Sequence, residues 1–207
     1  MKKRLLLTVG GILLFVVSTF LLRDKILITA ISFKSSAIAQ IALIAGAHAD
    51  LLVEGRYPLL IVLLGSPDEK NAYLARLLLD YGAPVNAQVP ETRRYPLLSA
   101  MREGNEAVVD VLLSRGANPN QQDFLGTTAL LEICAGDGPR VFNLIRTLIA
   151  YGADPRIVGV DGKTCMEIAK ASTAGIERWG RTNRDIIEYL EETLRSFETD
   201  ASRTAGT

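Results

Sequence analysis

The sequence is poor in most of the residues that do chemistry. It holds one histidine, His48, and two cysteines, Cys134 and Cys165, in 207 residues. A single histidine leaves no His-rich metal site and little room for histidine-based catalysis. Two cysteines 31 positions apart make neither a CxxC pattern nor a disulfide scaffold. Net charge is also lacking, since 23 Lys and Arg balance 23 Asp and Glu. No general excess of positive charge is left to neutralise nucleic-acid phosphates. GxSxG, HExxH, Walker A and GxGxxG motifs are all missing. The acidic pairs Asp68/Glu69 and Glu191/Glu192 fall on polar turns or an outer helix face, where a solvated surface explains them. The expectation is a protein that is not an enzyme, with no cofactor, no metal and no small-molecule substrate.

What is present is an uneven distribution of apolar residues. Leu5 to Leu22 form eighteen residues without a charge, about 27 Å as a helix against a bilayer core of about 30 Å. Lys2, Lys3 and Arg4 precede the run, and Arg23, Asp24 and Lys25 follow it. The cationic start places the N-terminus in the cytoplasm and the remainder outside. The run is longer than the core of a cleaved signal peptide, and its nearest small-residue site, Val16-Val17-Ser18, lies inside the apolar stretch. An uncleaved anchor is favoured over a cleaved leader with a soluble periplasmic product, and over a buried helix. The MKKR start looks bacterial. Residues 1–34 carry six cations against Asp24, so the rest of the chain is net negative by five.

A repeat organises the remainder. Gly46, Gly82, Gly116 and Gly152 each follow an apolar helical stripe and precede alanine. Their spacing in the mid-thirties is that of a solenoid, and glycine suits the left-handed residue that ends a helix. Between them recur YPLL at Tyr57 and Tyr95, TALL at Thr128 and TCME at Thr164, with Thr and Pro acting as helix-start signals. Leu74/Leu77/Leu78, Val108/Val111/Leu112 and Leu144/Ile145/Leu148 form the buried stripes of second helices. Ile186, Ile187, Leu190 and Leu194 line a charged last helix, as a capping unit needs.

These landmarks resemble the ankyrin repeat family. The segment GANPNQQDFLGTTALLEI (116–133) fits the pattern G-A-D-x-N-x-x-D-x-x-G-x-T-P-L-H-x-A, and GADPRIVGVDGKTCMEIA (152–169) follows in the same register. The family histidine after Thr-Pro-Leu is replaced by Leu60, Leu98, Leu131 and Glu167. Its tie between neighbouring repeats is therefore expected to be missing, leaving packing to hold the stack. Insertions fall between helices, near 66–70 and 137–140, where they cost little.

The implied architecture is an all-α ankyrin-repeat solenoid, with helix-turn-helix units and extended fingers, behind one N-terminal transmembrane helix. Residues 1–25 form the cytoplasmic start and signal-anchor, 26–34 a juxtamembrane connector, 35–197 about four repeats, and 198–207 a disordered tail. Ile26 to Phe33 either continue the membrane helix or make a degenerate first helix. Trp179 lies in a long loop from Ser172 to Asn183 and is expected to pack on the cap. His48 reads as a turn residue. By register Cys134 ends one first helix and Cys165 begins the next. An axial offset of about 7.5 Å between helices 8–10 Å apart predicts two unpaired cysteines.

The resemblance also implies a binding face along the finger tips and the adjoining starts of the first helices. Carried over by register, it comprises Arg93, Arg94, Arg102, Glu103, Phe124, Leu125, Thr127, Val160, Asp161 and Lys163, together with Glu91 and Thr92. Phe124, Leu125 and Val160 form an apolar spot ringed by cations, unless the fingers pack against one another. Small exported ankyrin proteins resemble immunity proteins, so the expected role is a membrane-anchored periplasmic module that binds and neutralises a secreted toxin or lipase effector. The alternative is a scaffold or helper for an exported enzyme or envelope complex.

Overall fold

The computed structural model describes residues 22–65, 68, 70–136, 138–173 and 182–204. Its repeating unit is a pair of antiparallel helices, and the reason for each helix end is local. The first pair is α1, over residues 22–32, and α2, Ser36–Ile44. There follow α3 (Leu59–Leu63) and α4 (Lys70–Asp80), α5 (Pro96–Arg102) and α6 (Glu106–Ser114), α7 (Ala129–Ile133) and α8 (Gly138–Ala150), and last α9 (Cys165–Thr173) and α10 (Thr182–Thr204). The helices α3, α5, α7 and α9 stand in one row, and α2, α4, α6, α8 and α10 in another.

The Gly-Ala dipeptide ends α2, α4, α6 and α8 in one way. Gly46, Gly82, Gly116 and Gly152 have φ of 91°, 92°, 82° and 87°, a region that an L side chain enters only with strain. The following alanine N–H then reaches back to the helix: Ala47 to Ala42, Ala83 to Leu78, Ala117 to Leu112 and Ala153 to Leu148, each at 2.9–3.0 Å. This closes the last turn. It also explains why the second residue is alanine, because all four alanines are buried.

Between pairs the chain runs out as a finger. The four fingers cover residues 47–57, 83–94, 117–127 and 153–163. In the first, β1 (Leu52–Val53) pairs antiparallel with β2 (Tyr57–Pro58). In the third, Asp123 Oδ1 accepts from the Leu125 and Thr127 amides, both at 2.9 Å. Residues of both helix rows merge into one core, with Leu74, Leu78, Val108, Leu112, Ile145 and Leu148 inside it. Ile186 and Leu190 of the last helix are buried, and its Tyr189 meets Phe142 edge to face at 5.8 Å. The capping helix thus covers the end of the stack through its apolar stripe.

Several expectations need correction. Leu27, Ala30 and Ile31 of α1 belong to the core, so the stack begins ahead of residue 35 and the connector is its first helix. Residues 198–204 continue α10 in place of the expected disorder.

The cysteines are bonded to each other, with Cα atoms 5.3 Å apart. Two assumptions in the sequence estimate fail. Cα atoms lie about 2.3 Å off the helix axis, so facing Cα atoms approach more closely than the axes do. The end of α7 also meets the beginning of α9, so the two helices are not level with each other.

Polar ties between repeats are present too, through other residues than histidine. Asn86 Nδ2 donates to Gly116 O and its Oδ1 accepts from Asn118 N. Asn120 repeats the bond set one unit on, with Gly152 O at 2.9 Å and Asp154 N at 2.7 Å.

Among the described residues no helix is long and apolar enough to cross a membrane. The charge-free run lies, apart from Leu22, outside the described residues, as do Trp179 and most of its loop.

Candidate protein-binding face

The finger tips lie side by side because their backbones touch. The Phe124 N–H donates to Thr92 O at 3.0 Å, joining the second and third fingers. The third and fourth meet at Gly126, where a Cβ would stand 3.6 Å from Val160 N. Gln122 Nε2 bridges the same pair, donating to Gly126 O at 3.0 Å and Val158 O at 3.4 Å. Arg56 of the first finger pairs with Glu91 of the second at 2.9 Å. Four separate excursions of the chain thereby make one continuous edge.

On that edge the apolar residues point to solvent. Phe124 is 71% exposed, Leu125 52% and Val160 79%. The fingers meet through backbone and polar side chains and leave these three uncovered. Arg93 and Arg94 are exposed beside them, as are Glu91 and Thr92. Thr127, Val160, Asp161 and Lys163 line a groove of about 640 Å³ between the third and fourth units. Leu131, Glu132 and Ala135 from the α7 side and Ile168, Ala171 and Ser172 from α9 complete it. These six residues lie beyond the finger positions that the repeat register singles out. Their spacing, i, i+1 and i+4 along α7 and the turn after it and i, i+3 and i+4 on α9, was the available signal.

Arg102 borders this groove through Glu132, and Glu103 lies elsewhere. Arg102 ends α5 and reaches across to the third unit, meeting Glu132 at 3.1 Å and Asp123 at 3.6 Å. The Glu132 bond holds its guanidinium more firmly protonated than usual. Asp123 is only 7% exposed and shapes the third finger through the Leu125 and Thr127 amides, so Arg102 neutralises a buried carboxylate that the fold itself uses. Glu103 sits in the turn after α5, in a separate groove with Asp68 and Arg140. His48 is an exposed turn residue whose N–H donates to Asp24 Oδ1 at 3.0 Å, tying the first finger to α1.

Glu167, in place of the family histidine, accepts from the Thr164 N–H at 2.8 Å and from its hydroxyl at 2.9 Å. The Thr164 hydroxyl accepts in turn from Glu167 N at 3.4 Å. This is a capping box at the start of α9, and those bonds hold the Glu167 carboxyl below its usual range. Thr164-x-x-Glu167 was legible as such a box.

Comparison with known proteins agrees with this geometry. Residues 27–123 match the family model for ankyrin repeats (3 copies). This segment is built of ankyrin repeats. Similar proteins include human ankyrin repeat and SOCS box protein 16, 34% identical over 66% of this chain and 30% of that protein. The mouse B-cell lymphoma 3 protein homolog is 33% identical over 46% of this chain and 20% of its own length. A putative ankyrin repeat-containing protein of Treponema pallidum is 36% identical over 48% of this chain and 32% of that one. The chain thus spans about a fifth to a third of the length of these relatives. Ankyrin repeats bind other proteins, and the helical fold and finger edge described above are those of such an interaction module.

Proposed function

We propose that this ankyrin stack is exported, tethered to the bacterial inner membrane by Leu5–Leu22, and grips a specific protein partner in the periplasm with its finger edge. The partner is a toxic secreted enzyme, such as a lipase effector, which the bound stack holds inactive at the membrane it attacks. The observation that carries the binding role is the row Phe124, Leu125 and Val160. Three large apolar side chains stand in solvent on touching fingers, with no core left for them to fill.

Two further features support the exported reading. The disulfide Cys134–Cys165 is of a kind that persists in oxidising compartments. Leu22 and Ile26 of α1, with Phe33 in the turn after it, form an exposed apolar patch that meets Ile38 of α2 in a groove of about 360 Å³.

An alkaline phosphatase fusion at the C-terminus is expected to be active, and an inactive fusion would sink the export. Full-length protein captured from membranes is expected to bring down one dominant soluble enzyme. Phe124→Ala with Val160→Ala is expected to reduce that capture about tenfold or more. Capture undiminished by the double variant moves the binding face elsewhere. An envelope complex in place of a toxin would favour the helper role.

A further inference from the structure

Three of the four fingers turn on a glycine. Gly55, Gly126 and Gly162 each stand two residues before the landmark Tyr57, Thr128 or Thr164, with φ of 68°, 69° and 73°. In the second finger the same place, two residues before Tyr95, is taken by Arg93 with φ of 50°. A side chain in this left-handed region strains the backbone where glycine does not.

Nothing in the fold calls for the arginine. Its backbone makes the turn, with the Arg93 N–H donating to Val89 O at 2.8 Å and Arg93 O accepting from Gln88 Nε2 at 3.3 Å. A glycine makes both bonds equally well. The guanidinium is exposed and has no hydrogen-bond or ion-pair partner among the described residues, and the same is true of Arg94. The nearby acids are already engaged: Glu91 by Arg56 at 2.9 Å, Asp123 by Arg102 at 3.6 Å, and Asp161 by Lys163 at 3.9 Å. Arg93 and Arg94 are thus an uncompensated pair of positive charges on a solenoid that is otherwise net negative. Phe124 is fixed beside them through Thr92 O.

Resting on the partner-binding reading above, we propose that Arg93 is a specificity-determining contact. It is kept at a strained position so that the finger edge reads an acidic protein segment in which one or two carboxylates flank an aromatic or aliphatic side chain. The apolar side chain lies on Phe124 and Val160, and a carboxylate meets the Arg93 fork, with Arg94 adding charge. Two repeat steps at about 8–10 Å each separate the second and fourth fingers, which roughly six residues of extended chain span.

The test is a phage-displayed library of random peptides, about 12 residues long, selected on the full-length protein. Enriched peptides are expected to carry Asp or Glu within a few positions of an aromatic or aliphatic residue. Arg93→Gly is expected to weaken them about tenfold while raising the melting temperature by about 2–4 °C. Arg93→Lys keeps part of the affinity. Neutral or basic peptides that are weakened by Phe124→Ala but not by Arg93→Gly overturn this inference and leave the binding face standing. Peptides indifferent to both variants overturn both readings. A library without binders also overturns the inference, since an acidic segment would not then be sufficient.

Discussion

Glu167 replaces a histidine and does a different task. Its carboxylate closes the first turn of α9 by accepting from the Thr164 amide and hydroxyl, which need the charged form. The lowered folded pKa means that the contribution is present above the ordinary carboxyl range, near 4.5, and is lost as pH falls through the lower folded value. Asp154 follows the same sign, lowered by its Arg156 side-chain hydrogen bond, and so does Asp68, lowered by the Lys70 amide and then Lys34. Glu167→Ala is therefore expected to melt at lower temperature than the parent at neutral pH. In calorimetry the gap should narrow as the pH falls below the ordinary carboxyl range and the Glu167 carboxylate takes up its proton. A gap that stays constant with pH would assign the loss to packing. The substitution itself was visible in the sequence. Its meaning depended on reading residue 167 together with Thr164, three positions back, and not against the family pattern alone.

Neighbouring units are laced by short polar side chains, one unit apart. Asn86 and Asn120 each hold the helix-ending glycine carbonyl and a finger amide of the following unit. The end units lack this asparagine, having Asp50 and Arg156 at the matching places. Arg156 instead folds onto Asp154, with its guanidinium 5.0 Å from the Phe197 ring of α10. Asn120→Ala removes two ties at sites that are exposed or part-buried, where water replaces much of what is lost, at a cost of about 0.5–1.5 kcal/mol. Urea melts of the variant are expected to show that loss, and a change under 0.5 kcal/mol would make packing the sole cement (roughly the scatter of surface variants).

Helices, their ends and the repeat were legible in the sequence because each rests on residues close together in the chain: an apolar stripe, a glycine, a threonine. Ties across 30–34 residues were not legible. They depend on how one unit settles on the next, which local patterns do not encode. For the same reason Arg102 reads as a free surface cation in the sequence but is paired across the units with Glu132 and Asp123. The exposure of Phe124 and Val160, left open by the sequence, follows from fingers that meet through backbone atoms.

In the whole molecule, stability is spread along a line of units, each leaning on its neighbours. The disulfide joins the third full unit to the C-terminal cap across a separation of 31 residues. Both sulfurs are buried, with Cys134 1% and Cys165 0% exposed. A loop of that length corresponds to about 3–4 kcal/mol of chain entropy removed from the unfolded state. Reduction, or Cys134→Ser with Cys165→Ser, is expected to lower stability by an amount of that order. Thiol titration of the native protein is expected to find no reactive cysteine, and two after unfolding in reductant. Reactive thiols in the oxidised native protein would refute the bond.

The cross-link has a mechanical side. In the proposed arrangement, a stack anchored at one end and holding a partner along its edge carries load through its chain. The covalent loop shelters the residues between Cys134 and Cys165 from that load, so roughly 100–110 Å of contour cannot be drawn out while the sulfurs stay joined. Under tension the protein would lengthen first from its N-terminal units, and the groove between the last two units, where Val160 and Lys163 stand, would be the last part to lose its shape.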